Sequence, residues 1–190
     1  MQDVFLQLYG FPKPVVAALT GAAPAGGCWL ALLADYRVGV DEARAVIGLN
    51  ETALGIIAPF YFATPLTHLV GHRVADRMLQ LGLLVPPREA QRVGLLDELR
   101  PSAAEAETAA AEMAGRYAAV HAEARTLTKV GLRRALVERL HREREQELES
   151  FVLQVCRPGV QSAIEAYLEQ LSSKKQAQAQ KGAAGGAAAA

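Results

Sequence analysis

The chain predicts an α/β core followed by a helical extension. Two observations carry this. Up to Leu99, short apolar, β-branched-leaning runs alternate with segments of helical spacing, and beyond Pro101 the pattern is helical only. A third bounds the class. Apolar residues make up 51% and charged residues 21% of 190 residues, the composition of one globular, soluble domain with a sizeable core. Lys+Arg and Asp+Glu balance at 20 each, so no excess charge points to nucleic acid or an anionic membrane. No apolar run approaches the roughly 20 residues of a membrane span.

Residues 1–9 read as the end of an amphipathic helix through Val4, Phe5, Leu8 and Tyr9, stopped by Pro12 and Pro14. No cap precedes it, so the chain is expected to begin inside an element. The same stretch has neither the basic flank of a secretory signal nor the Arg- and Ser-rich character of a transit peptide. Val15 to Leu19 predicts a buried strand. Ala25-Gly26-Gly27 follows as a turn, and Cys28 to Ala34 as an apolar helix. Tyr36 to Val40 and Ala45 to Leu49 predict two strands joined by a polar turn around Asp41.

From Pro59 the pattern is helical to Leu69, with Gly71 as its stop. A second helix through Val74, Met78 and Leu81 ends at Gly82, and a third, Arg88 to Val93, ends at Gly94. Leu95 to Leu99 predicts a last short strand. Ala103 to Val120 is rich in Ala and Glu, both strong helix formers. Thr126 to Val155 carries an apolar stripe of Leu127, Val130, Leu136, Val137, Leu140, Leu148, Phe151, Val152 and Val155. Its charged face pairs Glu138 with Arg142 and Arg139 with Glu143. Pro158-Gly159 breaks this helix, and Val160, Ile164, Leu168 and Leu171 mark the final one. Residues 174–190 are low-complexity and are expected to be disordered. The domain reading is therefore a core of 1–101, a helical region of 102–173 and a tail of 174–190.

Two stretches carry chemistry. Glu51 stands alone among Ile, Leu, Gly and Ala, with no Lys or Arg between Ala45 and His72. Desolvation without a local cation raises a carboxyl towards the range of a general base. Taken alone, the stretch reads equally well as a solvated loop or the first turn of a helix. Pro24 to Trp29, PAGGCW, sets a Gly-Gly pair where a strand meets a helix, so unpaired N–H groups face a place for negative charge. Alone it is an ordinary tight turn. An oxyanion donor with one buried base is the minimum set for taking a proton next to a carbonyl. Cys28 and Cys156 lack metal spacing, and both read as buried thiols of a reducing compartment.

PAGGC at 24–28, ADYRV at 34–38, IGLNETALGIIAP at 47–59, GHR at 71–73 and LQLGLLVPP at 79–87 resemble the crotonase (enoyl-CoA hydratase/isomerase) superfamily. Within it the chain is similar to the mitochondrial Δ3,Δ2-enoyl-CoA (dodecenoyl-CoA) isomerases. The resemblance is dense from Pro14 to Pro101 and thinner on to Lys175. It implies a crotonase-like spiral of ββα units with a helical C-terminal extension, a CoA thioester substrate, no cofactor or metal, a homotrimer of trimerising helices and a place in the mitochondrial matrix. It also implies roles: Gly26 as a backbone oxyanion donor, Glu51 as the catalytic base and Asn50 as a substrate contact. Hydratases of the superfamily carry a second glutamate where this chain has Trp29, so the expected activity is shifting a 3-enoyl-CoA double bond to the 2-trans position in β-oxidation. The other readings are a catalytically impaired assembly subunit and another acyl-CoA activity such as thioester hydrolysis. The family's other oxyanion donor and much of its CoA surface lie upstream of the matching region. Residues 1–13 hold no Ala-Gly-x-Asp-like sequence in their place, so an N-terminally shortened form is expected.

Overall fold

The computed structural model describes the backbone of residues 1–187 and the side chains of residues 1–173. Helix α1, Gln2–Tyr9, leads to strand β1, Val16–Leu19, the two-residue strand β2, Ala23–Pro24, and helix α2, Gly26–Leu32. Strands β3, Tyr36–Val40, and β4, Ile47–Gly48, precede a short 3-10 helix, Glu51–Leu54, and helices α3, Phe60–Val70, α4, His72–Leu81, and α5, Pro87–Arg92. Strand β5, Glu98–Arg100, and helix α6, Ala103–Ala118, close the core. Helices α7, Ala122–Val155, and α8, Pro158–Ala187, form the extension.

The strands make two parallel sheets, β1-β3-β5 and β2-β4. Successive ββ units each give one strand to each sheet, so the chain climbs as a spiral. β3 is buried along nearly its whole length, because it has a neighbour on either edge and α6 on one face. Ala106, Ala109 and Ala110 let α6 approach closely enough to cover Val38. Ser102 caps α6 by accepting from the Glu105 amide at 3.3 Å and donating to its carboxylate at 2.9 Å. On the other side, α2, α3 and α4 enclose Leu33, Ile47, Leu49, Leu66 and Met78.

Four expectations change. Tyr36–Val40 and the following strand do not form a hairpin: β4 pairs with β2, Ala23 opposite Ile47, in the other sheet. The last strand begins later than Leu95. Leu95 and Leu96 are buried in the turn before it, and Asp97 starts the pairing by accepting from the Arg37 amide at 2.8 Å while its own amide donates to Arg37 O at 3.0 Å. Cys28 is buried, but Cys156 is exposed, because it caps the solvent end of α7. The backbone of α8 is helical on to Ala187, through Ala, Gln and Lys, good helix formers, and through Gly182, Gly185 and Gly186, poor ones. Residues 188–190 lie outside the described residues. β1 is half-buried rather than buried, since it forms the edge of its sheet.

The inward side of α7 also differs from its apolar stripe. Leu136 and Leu140 face the core, but Lys129 and Arg133 share that side, about two turns and one turn before Leu136 respectively. Both grip Asp35, at 2.6 Å from Lys129 Nζ and 2.8 Å from Arg133 Nη2. Arg133 also donates to the carbonyls of Leu33 and Ala34, satisfying the C-terminal end of α2. Leu127, Leu148 and Val152 of the expected stripe are exposed. Of the two expected surface pairs, Arg139 meets Glu143 at 2.8 Å, whereas Arg142 turns to Glu143 rather than Glu138.

Candidate active site

The two chemistry-bearing stretches meet through one small ladder. β2 and β4 pair over only Ala23–Ile47 and Pro24–Gly48, and the ladder is extended at both ends. The Ala23 amide donates to Val46 O at 2.9 Å, and the Ala25 amide to Gly48 O at 2.8 Å. Gly26 begins α2 immediately beyond one end, and Asn50 and Glu51 follow immediately beyond the corresponding end of β4. Parallel pairing puts both continuations on the same side.

The turn into α2 differs from its expected form. The glycines lie inside the first helical turn, and the left-handed residue is Ala25, with φ 48° and ψ −115°. It is the single non-glycine residue with positive φ among the described residues. Such backbone costs of order 1–3 kcal/mol and persists where surrounding contacts impose it. Ala25 is held by its amide bond to Gly48 and by the bond from the Trp29 amide to its own carbonyl, 2.9 Å. Nothing in the sequence marks an alanine for this conformation. No side chain caps α2, so the amides of its first turn have no helical acceptor. A Cβ built on Gly26 meets nothing within 4 Å, so no protein packing demands glycine there. The space beside it is open to a ligand.

Glu51 opens the 3-10 helix and is 7% exposed. Burial pushes its carboxyl above the ordinary 4.5, and only a hydrogen bond from its own backbone amide opposes that shift. Glu51 Oε2 and Asn50 Oδ1 are buried without a hydrogen-bond partner, as is Trp29 Nε1. Orphaned polar atoms are costly in a core, and at the end of a strand beside an uncapped helix they are free to meet a ligand. Trp29 stacks on Phe62 at 4.7 Å and meets Tyr61 edge-on at 6.4 Å. A bulky aromatic, not a second carboxylate, therefore fills that part of α2. Cys28, fully buried, lies near enough to Glu51 for the carboxylate to add to the upward push that burial gives its thiol.

Several residues that hold Glu51 lie in the stretches that carry the family resemblance, but nothing in the sequence marks the contacts by which they hold it. Thr52 Oγ1 donates to Leu79 O at 2.7 Å, tying the 3-10 helix to the end of α4. Gly82 ends α4 at φ 57°, and a Cβ there would stand 2.7 Å from Ala53 N. Gly48 is required because a Cβ would lie 2.1 Å from the Leu83 carbonyl. The amides of Ile47 and Val85 exchange bonds with each other's carbonyls at 3.0 and 2.9 Å, pinning β4 on its other edge. Gly82 is legible as a helix stop, but not as a contact of the Glu51 helix. The larger grooves flank the site without enclosing it. One of about 560 Å³ includes Ala23 and Gly27, and another of about 530 Å³ includes Thr52 and Gly55. Among the described residues no group of His, Cys, Asp or Glu is placed to hold a metal ion, and no helix is long and apolar enough to cross a membrane.

Residues 1–178 match the enoyl-CoA hydratase/isomerase family. The chain is 43% identical over 175 residues to human "Enoyl-CoA delta isomerase 1, mitochondrial", covering 92% of this chain and 58% of that protein. The rat protein of the same name is 40% identical over the same length, covering 60% of that protein. The chain thus spans less than two thirds of the length of these relatives. The crystal structure of human mitochondrial delta3-delta2-enoyl-CoA isomerase superposes with a TM-score of 0.89 at 42% identity, over 92% of this chain and 67% of that one. An enoyl-CoA hydratase from Bacillus halodurans superposes at 0.75 with 25% identity, over 87% of this chain and 65% of that one.

Proposed function

The chain belongs to the enoyl-CoA hydratase/isomerase family, and from that premise we propose that it is an enoyl-CoA isomerase moving a 3-enoyl-CoA double bond to the 2-trans position. The observation that carries the reading is Glu51: one buried carboxylate with a raised pKa and an unpartnered oxygen, opposite a stretch where Trp29 replaces any second acid.

The chemistry follows from that asymmetry. The Glu51 carboxylate takes the proton from the α-carbon, and the electrons pass into the thioester, giving a dienolate. Gly26 N–H, at the uncapped start of α2, donates to the thioester oxygen as charge collects there. Glu51, now protonated, returns the proton to the γ-carbon, and the double bond is left between the α- and β-carbons. Asn50 contacts the substrate. One base suffices because the same proton leaves and returns. Adding water requires a second group to orient and activate it, and Trp29 offers only a stacked indole there. Its bulk also helps keep water from the dienolate. The reaction draws on no cofactor beyond the CoA thioester. Relatives named as mitochondrial support a mitochondrial setting, and we assign the reaction to fatty-acid β-oxidation on the chemistry of a 3-enoyl-CoA substrate.

The exposed apolar residues Leu127, Leu132 and Leu153, at 64%, 79% and 71%, suit burial between copies of α7. We assign them to a homotrimer. The same exposure favours a second reading, in which the chain is an assembly subunit with little turnover of its own. Product analysis of purified chain with a 3-enoyl-CoA separates them. Formation of 2-trans-enoyl-CoA without 3-hydroxyacyl-CoA or free CoA supports the isomerase. Release of free CoA as the main outcome points instead to thioester hydrolysis, and no turnover alongside stable association supports the assembly subunit.

A further inference from the structure

The 3-10 helix that begins with Glu51 is held on three sides, and the third hold comes from a distant part of the chain. Thr52 is tied to α4 through Leu79 O, and Ala53 sits against Gly82. At the far end, Gly55 closes the helix in the left-handed region, φ 73°. Its amide donates to Thr52 O at 3.1 Å, and the next amide, Ile56, donates to Glu51 O at 3.0 Å. That leaves the Gly55 carbonyl turned outward, and Gln154 Nε2, near the end of α7, donates to it at 2.9 Å. A Cβ built on Gly55 would rest 3.6 Å from Ala163 Cβ, so α8 packs on the same turn. Gln154 spends its amide group on this one carbonyl, for its Oε1 is buried without a partner.

We infer that Gln154 is a positioning residue for Glu51: the C-terminal helices, through Gln154 and the Gly55 carbonyl, lock the turn whose first residue carries the catalytic carboxylate. A left-handed terminus with an unmet carbonyl is the weak point of a single-turn helix, since it has few internal bonds to share a disturbance. If the turn relaxes, Ile56 lets go of the Glu51 carbonyl and the carboxylate shifts. A displacement of about 1 Å at a reacting group costs up to about 10²-fold in rate, while binding of the remote part of a substrate is spared. The inference rests on the isomerase reading for its kinetic part only.

The test uses the full chain with Gln154→Met, which keeps length and neutrality but cannot donate, and Gln154→Glu, which keeps shape and loses the donor. Two readouts are taken: steady-state isomerisation of a 3-enoyl-CoA, and amide hydrogen exchange residue by residue. The expected result is a fall in kcat of about tenfold with KM within about twofold, and faster exchange confined to Gly55 and Ile56. Unchanged kcat with unchanged exchange at those amides overturns the inference. So does faster exchange spread along α7 and α8 with KM and kcat moving together, which marks the bond as general support. Should the wild-type chain not isomerise at all, the isomerase reading falls, and exchange alone decides: acceleration limited to Gly55 and Ile56 upholds the lock, and none refutes it.

Discussion

The amide of Ala25 donates to the carbonyl of Gly48 at 2.8 Å. It extends a two-residue ladder by one step, and that step sets the start of α2 beside the residues that follow β4. Gly26 and Glu51 are separated by 24 intervening residues in the sequence and owe their juxtaposition to it.

Glu51→Gln is expected to remove isomerisation by about 10²–10⁴-fold, the range for loss of a general base. The fold should survive, since Gln fills the same volume and the other oxygen already lacks a partner. The check is steady-state turnover beside a circular-dichroism melt. A variant that keeps most of its rate rules Glu51 out as the base.

The same residue predicts two pH effects. With Glu51 as the proposed base, turnover needs its carboxylate form, so kcat should be lost as pH falls through a pKa above 4.5, higher than for an exposed glutamate. Stability runs the other way. A carboxyl whose folded pKa is raised holds its proton more tightly in the native state, so its cost to stability is absent below the unfolded value and is fully developed above the folded one. Glu51→Gln should therefore melt higher than wild type at pH 7, with the gap closing as pH drops below 4.5. An equal gap at both pH values contradicts the assigned shift.

On the proposed single-base reading, with Trp29 where a hydratase would carry its second acid, hydration of 2-enoyl-CoA should be slow beside isomerisation. Comparable rates for the two reactions would break the single-base argument. Trp29→Ala also removes the stack on Phe62 and should cost about 3–5 kcal/mol in urea unfolding.

Breaking the buried cluster on the other side of α2 should be more disruptive than its distance from the site suggests. Asp35 accepts from the Val15 amide, Lys129 and Arg133 together. Asp35→Ala leaves two largely buried cations facing each other, at a cost of about 3–5 kcal/mol. Chemical unfolding measures it, and a loss under about 1 kcal/mol would mean that solvent reaches both cations.

Gly48→Ala should fail to fold natively. The added methyl would lie 2.1 Å from the Leu83 carbonyl, a backbone atom pinned by the Ile47–Val85 exchange of bonds. Soluble Gly48→Ala protein with a wild-type melt is the contrary result.

Much of this was legible beforehand, for local reasons. Gly71, Gly82 and Gly94 end their helices at positive φ, as a residue without a Cβ allows, and apolar spacing marks α3 to α6 to within a few residues. Glu51 stood out because its neighbours offer no cation, and burial gives its carboxyl the upward push that this composition implies. Three things depended on the tertiary structure. Strand partnership is one: β4 and β3 are both short apolar runs, and only packing against Val85 and β2 takes β4 into the other sheet. The conformation of Ala25 is another, imposed on a residue with no preference for it by bonds at both ends of the turn. The last is the inward face of α7, where Lys129 and Arg133 look like solvent residues in sequence and are buried because one aspartate and the open carbonyls of α2 lie opposite them. A periodic pattern reports which residues share a face of one element. Which charged residues find partners across to another element is decided by the distance between them after folding.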